Sequence, residues 1–200
     1  MPRVPGLHKE TCVLVDMDDV LADLLVGWVS VLNDTHNLTM DPKDMDVWDL
    51  KDSLEKAGSA LTEEQIFKPF NEPGLFRNLP VIIGAKEALY SMKMMGLTPV
   101  IVTSLPMVKH SPGVIVREKL EWIDEHLPDL IHPRDVIFTY RKELVEGIAL
   151  IDDAPHNIER YPGSTILFGN RGGDCNYTYK ANNWDEAMAA LESLIVSKGE

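Results

Sequence analysis

Three carboxylates stand within four positions of the stretch CVLVDMDDVLAD (residues 12–23), directly after a run of apolar residues. They are Asp16, Asp18 and Asp19. Like charges this close repel one another, and the end of a strand gains no stability from them. Carboxylate oxygens are the ligands that a hard cation such as Mg²⁺ prefers. The cluster therefore indicates a chemical role, and a solvated turn after a strand is the competing interpretation.

Polar side chains also follow three later apolar segments. These side chains are Thr103 and Ser104 at the end of 99–103, Tyr140, Arg141 and Lys142 after 136–138, and Asp152 and Asp153 after 148–151. Ligands of an open parallel sheet gather at the carboxyl ends of its strands. We therefore expect these groups to converge on the opening acids. A helix N-cap, a surface lysine and turn aspartates are the alternatives for the three segments, and Arg141 could exchange roles with Lys142.

Short apolar strands alternate with helical spacings along the chain, which predicts an α/β fold with a doubly wound parallel sheet. The predicted strands are 12–16, 99–103, 136–138, 148–151 and 165–168. The apolar stripes that predict helices begin at Leu21, Ala85, Val116 and Ala187, the last behind a capping pair of Asn183 and Glu186.

One block does not fit this alternation. Residues 34–80 are rich in Asp, Pro, Lys and scattered aromatics, with two short helical patterns. We interpret the block, with the helix before it, as a small helical cap inserted after the first strand. The predicted division is an α/β core of residues 1–19 and 81–200 and a cap of residues 20–80.

Composition limits the classes of partner. The formal net charge is −13 with 19 basic and 32 acidic residues, and such a chain should repel nucleic acid. No apolar run reaches the ~18 residues of a membrane span, and the first ten residues lack the apolar region of a signal peptide. Two cysteines without metal-ligand spacing favour a reduced, cytoplasmic protein. The charge leaves the oligomeric state open, a homodimer included.

The motifs resemble those of a known family. An acid pair spaced as DxD after a strand, a Thr/Ser after a second strand, a downstream Lys and a later DD resemble the haloacid dehalogenase (HAD) superfamily of aspartyl-phosphate phosphatases. Within it, the chain is similar to the 5′(3′)-deoxyribonucleotidase group of cytosolic type C 5′-nucleotidases, over roughly residues 12–195. The stretches that carry this likeness are DMDDVLAD, VTS, EKLEWIDEHL, TYRK and LIDDAP.

The resemblance implies a role for each acid. Asp16 would attack phosphorus, and Asp18 would protonate the leaving oxygen and then activate water. Mg²⁺ would bind the Asp16 carboxylate, the Asp18 backbone carbonyl and Asp153. Asp152 is the second candidate for the metal ligand, or it orients Lys142 or a metal-bound water.

It also implies groups that bind phosphate and substrate. Thr103 and Ser104 would meet the phosphoryl oxygens, and Lys142 would balance the charge of the phosphate and Asp16. Lys119 and Lys109 are both candidates for a further cation on the phosphate side, Lys119 having the better sequence context. Three apolar residues fall where the group builds its nucleobase pocket: Leu24, Trp48 and Phe67. Packing of the cap core is the alternative for Trp48 and Phe67.

The expected function is Mg²⁺-dependent dephosphorylation of nucleoside monophosphates, with deoxyribonucleotides favoured. Another small phosphate ester, such as a sugar phosphate, is the alternative substrate, and a non-catalytic phosphate-binding protein is the alternative class. One departure from the group stands at Asp19, where glycine is common. If that position needs an unusual backbone conformation, Asp tolerates it better than most residues do.

Overall fold

The computed structural model describes residues 10–45, 50–56, 60–106, 112–171, 173 and 175–199. Its six strands form one parallel sheet in the order β3-β2-β1-β4-β5-β6. The strands are β1 (Cys12–Val15), β2 (Thr98–Thr103), β3 (Val136–Phe138), β4 (Ala149–Asp152), β5 (Ser164–Phe168) and β6 (Tyr179–Ala181). The predicted α/β class is confirmed. Strand β6 was not predicted, because its three residues, with an exposed Lys180, carry no apolar run.

Seven α-helices are described with the sheet. They are α1 (Leu24–His36), α2 (Leu50–Lys56), α3 (Glu63–Asn71), α4 (Ala85–Met94), α5 (Pro112–His126), α6 (Pro155–Arg160) and α7 (Trp184–Gly199). The helix predicted at the end of the chain begins as expected, since Asn183 Oδ1 accepts a hydrogen bond of 2.9 Å from Glu186 N. None of the described helices combines the length and apolarity that crossing a membrane requires.

The first helix begins later than its apolar stripe suggested. The Asp23 side chain accepts a hydrogen bond of 3.0 Å from Val26 N and caps α1 at Leu24. Leu21 lies in the preceding loop, where its amide donates to the Met17 carbonyl at 2.9 Å and its side chain is fully buried. The apolar side chain at 21 thus serves the core and not the helix, which a stripe alone cannot distinguish.

Helices α1, α2 and α3 lie in the chain between β1 and β2, as the predicted insertion requires. Their buried side chains join the sheet and the flanking helices in one apolar cluster, which includes Trp28, Leu54 and Ile66. Because this cluster is continuous, the proposed boundaries of core and cap at residues 20 and 80 stay a prediction.

Three fully buried tryptophans fix the segments around the insertion. Each indole N–H donates to a backbone carbonyl at 2.8–3.0 Å, since a buried indole needs a partner. The donor–acceptor pairs are Trp28 with Ile66 inside the insertion, Trp122 with Leu79 at its end, and Trp184 with Val20 at its start. The start and the end of the inserted chain are therefore both held by side chains of the α/β layer.

Close packing of β4 against β1 depends on Gly147. A Cβ atom at this position would lie 2.8 Å from Leu14 Cγ and 3.0 Å from the Cys12 carbonyl oxygen. The next amide, Ile148 N, donates to that same carbonyl at 2.8 Å. The spacing of β1 and β4 at this point therefore leaves no room for a side chain at residue 147.

We predict that Gly147→Ala lowers the free energy of unfolding by about 1–3 kcal/mol, because overpacking must push β4 away from β1. The matched control is Gly113→Ala in α5, where an added Cβ meets no atom within 4 Å. This control should raise stability by about 0.5–1 kcal/mol, the usual gain for alanine in a helix. Urea denaturation measures both, and equal effects of the two substitutions would contradict the packing explanation.

Candidate active site

The carboxyl ends of β1 and β4 bring the acid pairs together. Asp16 follows β1 and donates its amide to the Ile151 carbonyl at 2.9 Å, which continues the pairing of the two strands. Asp152 ends β4 and Asp153 follows it. All three residues are at most 9% exposed, so the acids lie at a sheet edge but mostly out of water.

Lys142 is buried between two of these acids. Its Nζ lies 2.7 Å from Asp16 Oδ1 and 2.6 Å from Asp152 Oδ2, and its side chain is 1% exposed. Burial alone would lower the pKa of Lys142, but Asp152 and Asp16 outweigh burial and raise its pKa above the usual lysine value. Lys142 therefore carries a permanent positive charge at this edge of the sheet.

The hydrogen bonds of Asp152 saturate its carboxylate. Besides Lys142, it accepts from Ala154 N at 2.9 Å and from Asn157 Nδ2, which is 3.2 Å from both oxygens. Burial raises the pKa of Asp152 to about 6, with Lys142 opposing and Asp16 adding to the rise. A carboxylate held this way is well placed to orient Lys142.

Lys119 on α5 joins the second acid of the DxD pair to the end of β2. Its Nζ donates to Asp18 Oδ2 at 2.6 Å, to Thr103 Oγ1 at 2.8 Å and to the Ser104 carbonyl at 3.0 Å. The side chain is fully buried, and its Nζ lies 5.2 Å from the centre of the Phe76 ring. Burial raises the pKa of Asp18, the contact with Lys119 opposes the rise, and the charge of Asp16 adds to it.

The residue before this lysine, Glu118, faces the inserted segment. Its Oε1 accepts a hydrogen bond of 2.6 Å from Gly74 N, and the residue is 4% exposed. Gly74 has φ +112, a conformation that side chains rarely adopt, so glycine suits this position. One turn of α5 thus contacts the acids on one side and the end of the insertion on the other.

The backbone at Asp19 has a conformation that few residue types adopt. Its φ is +55, in the left-handed region where Gly, Asn and Asp are preferred. Its Oδ1 accepts from Leu25 N at 2.8 Å, and its Oδ2 forms an ion pair with Arg171 Nη2. Burial raises the pKa of Asp19 to about 6, although Arg171 and the Leu25 amide oppose that rise.

Three carboxylates of the site could hold a metal ion. One oxygen from each of Asp16, Asp152 and Asp153 lies within 4.8 Å of the other two. Burial raises the pKa of Asp153 well above its usual value, and the neighbouring acids Asp19, Asp152 and Asp16 add to the rise. A divalent cation would relieve this crowding of negative charge, which fits the donor set to Mg²⁺.

Two of the four predicted substrate-binding residues lie in the described part of the chain. Leu24 and Phe67 are half-buried and pack against the main apolar cluster, and the Phe67 ring centre lies 6.1 Å from that of Phe70. The other two, Trp48 and Lys109, lie outside the described residues. The apolar cluster covers part of the Phe67 side chain, and the exposed part could contact a ligand.

Two residues at this edge were not foreseen from the sequence. Asn157 stands five positions after Asp152, in the first turn after Pro155, and an amide there could have been read as a partner for the acid pair. Arg171 comes from the turn after β5, and no local pattern connects it with residues 19 or 153. Only the folded sheet brings it to them.

Comparison with known proteins identifies the family of the chain. Residues 10–198 match the model of the 5′ nucleotidase, deoxy (pyrimidine), cytosolic type C protein family. Two relatives named 5′(3′)-deoxyribonucleotidase are 30% identical to the chain. The one from Bacillus subtilis aligns over 90% of this chain and 97% of its own, and the one from Clostridium acetobutylicum over 90% and 94%.

Solved structures support the fold. An HAD family hydrolase from Deinococcus radiodurans, determined with bound phosphate and sodium, superposes with a TM-score of 0.56 at 12% identity, covering 93% of this chain and 96% of its own. A haloacid dehalogenase-like family hydrolase from Xanthomonas campestris gives 0.56 at 14% identity, covering 96% and 99%. The near full-length family match and the two curated relatives confirm the predicted class of phosphoric monoester hydrolase: the chain belongs to the cytosolic type C 5′-nucleotidase family.

Proposed function

We propose that the protein is a Mg²⁺-dependent phosphatase that hydrolyses deoxyribonucleoside monophosphates through an aspartyl-phosphate. The observation that carries the proposal is the different environment of two acids only two positions apart. Asp16 contacts Lys142 and the possible metal ligands, whereas Asp18 contacts Lys119 and the end of β2. One acid thus lies beside a buried cation and the candidate metal ligands, as a nucleophile would, and the other lies beside the proposed phosphate-binding groups.

In this proposal Asp16 attacks the phosphorus atom of the substrate. Its oxygen forms the new bond to phosphorus as the bond to the leaving oxygen breaks. Lys142, 2.7 Å away, offsets the negative charge that Asp16 and the phosphate bring together. Asp152 holds Lys142 in place and takes no further part.

Asp18 is proposed to move the protons. It gives a proton to the leaving oxygen and later takes one from the water that cleaves the aspartyl-phosphate, which restores Asp16. Burial and the charge of Asp16 favour its protonated form by raising its pKa, which suits the first of these steps. Its contact with Lys119 fixes the direction of the carboxyl group.

Asp16 and Asp153 are the proposed side-chain ligands of Mg²⁺, with the Asp18 backbone carbonyl as a third ligand. Asp152 is the weaker candidate, because Lys142, Ala154 N and Asn157 already occupy its oxygens. When bound, Mg²⁺ would neutralise charge on the phosphoryl oxygens. The relative from Deinococcus radiodurans, with phosphate and a cation bound, supports a site of this kind.

The phosphate is proposed to contact Thr103, Ser104 and Lys119 at the end of β2. Thr103 Oγ1 lies 2.8 Å from Lys119 Nζ, so a hydroxyl and an ammonium are offered side by side. Lys109, which lies outside the described residues, remains a further candidate by its sequence context. The base and sugar would meet Leu24, Phe67 and Trp48 on the inserted segment, where aromatic faces can stack on a base.

The names of the relatives support a deoxynucleotide, and the net charge of −13 supports a small molecule over a nucleic acid. We predict that phosphate release is fastest from deoxyribonucleoside monophosphates in a panel that includes ribonucleotides, sugar phosphates and p-nitrophenyl phosphate. Release should stop with a chelator and return with added Mg²⁺. A preference for a sugar phosphate would contradict the proposed substrate, and full activity with the chelator would contradict the metal.

We predict that Asp16→Asn abolishes turnover in a folded protein, because an amide is a poor nucleophile and a poor Mg²⁺ ligand. Asp18→Asn serves as the contrast, since it should slow the reaction by about 10²–10⁴-fold, the usual contribution of a proton-transfer group. Steady-state assays and circular dichroism measure rate and folding. Asp16 is not the nucleophile if its variant keeps more than a few per cent of the wild-type rate after contamination is excluded.

We predict that Phe67→Ala lowers kcat/KM for the preferred deoxynucleotide by roughly 5- to 150-fold, the loss expected of one base–aromatic stack. The rate with p-nitrophenyl phosphate should change little, because this substrate has no base. Phe67→Leu is the control, since it keeps the apolar bulk that packs on the cluster but removes the ring. Recovery of nucleotide activity in the leucine variant would mean that Phe67 only packs the cap.

A further inference from the structure

The Asp19–Arg171 ion pair joins two distant parts of the chain beside the candidate metal ligands. Asp19 follows the DxD acids, and Arg171 lies 152 positions later in the turn after β5. Gly169, at φ +79, allows this turn to leave the strand directly. Both side chains are largely buried, with 14% of Asp19 and 11% of Arg171 exposed.

Arg171 also approaches Asp153. Its Nη2, the atom that pairs with Asp19, lies 3.6 Å from Asp153 Oδ2. Asp153 is one of the three carboxylates that could hold a cation together. The guanidinium is therefore shared between Asp19, which is not one of the three candidate metal ligands, and Asp153, which is one of them.

The charges of the whole edge explain why this sharing matters. Its five carboxylates are Asp16, Asp18, Asp19, Asp152 and Asp153, and its three cations are Lys119, Lys142 and Arg171. With every group ionised, five negative and three positive charges leave −2, which equals the charge of one divalent cation and has the opposite sign. The negative charge of Asp19 and the positive charge of Arg171 cancel in this net charge of −2. Removal of either residue alone would change the net charge by one unit.

We propose that Arg171 is a positioning residue that neutralises Asp19 and so sets the charge of the metal-binding acids to that of one divalent cation. The inference rests on the proposed function, because it assumes a divalent cation at Asp16 and Asp153. Asp19 in turn holds Arg171 away from Asp153. Without the Asp19 carboxylate, the carboxylate nearest to Arg171 Nη2 would be that of Asp153, which is a proposed ligand of the metal ion.

The test is the dissociation constant for Mg²⁺ of the full chain, measured by isothermal titration calorimetry after removal of bound metal. Asp19→Asn removes the charge but keeps an acceptor for Leu25 N and tolerates positive φ. It should weaken Mg²⁺ binding roughly 5- to 10-fold, the effect of a unit charge near a divalent ion at a water-like dielectric constant. At a pH high enough to keep Asp19 ionised, Arg171→Met should strengthen binding by a similar factor, and the double variant should return close to the wild-type value.

Arg134→Met is the matched control, because it also removes the charge of one arginine. Arg134 is exposed and precedes β3, so it lies at the amino end of that strand, whereas the candidate site lies at the carboxyl ends of the strands. Its Mg²⁺ affinity should equal that of the wild type. Melting temperatures in chelator report folding, and Arg171→Gln replaces Arg171→Met if the latter does not fold. The inference is overturned if both single variants weaken binding, if neither changes it, or if the control changes it equally.

The same titration separates this inference from the proposed function. Wild-type protein that binds no Mg²⁺ overturns both the metal-dependent mechanism and the role of Arg171. Wild-type protein that binds Mg²⁺ but releases no phosphate from any monophosphate overturns the proposed function alone. In that case the opposite shifts of the two single variants still decide the role of the pair.

Discussion

The burial of Lys142 between Asp16 and Asp152 is the constraint on which the rest of the site depends. A buried ammonium is costly unless carboxylates surround it, and a buried carboxylate is equally costly alone. The contacts of 2.7 and 2.6 Å therefore hold the end of β1, the end of β4 and the segment after β3 together. Loss of Lys142 would leave two buried carboxylates without their cation, whereas Asp16→Asn leaves Lys142 paired with Asp152 and is compatible with folding.

The same principle extends to the other acids of the edge. Asp18 meets Lys119, and Asp19 meets Arg171, so each cation comes from a different element that the sheet brings to one place. Burial still raises the pKa of Asp18 and of Asp153, which means that this pairing does not satisfy the edge completely. An edge of this kind carries an excess of acidic groups that a further cation would offset.

Local patterns predicted the sheet and the acids, but long-range partners escaped them. Apolar runs located five strands, and the polar residues behind them indicated one shared edge, because parallel strands align their carboxyl ends. The strand β6 was too short and polar to show a pattern. The pairing of Arg171 with Asp19 depends on the turn after β5, and no spacing in the sequence encodes it. The departure from glycine at Asp19 is physically tolerable, since its φ of +55 lies in the left-handed region that Asp adopts more readily than most residues.

The adjacency of Glu118 and Lys119 on α5 has a mechanical consequence. Neighbouring residues of an α-helix keep a fixed angle of about 100°, and a packed helix transmits displacement as a rigid rod. Glu118 holds the Gly74 amide at 2.6 Å, and Lys119 holds Asp18 at the same distance. The inserted segment and the proposed proton-transfer acid thus contact neighbouring residues of one helix, so tilting or rolling of α5 would alter the position of both at once.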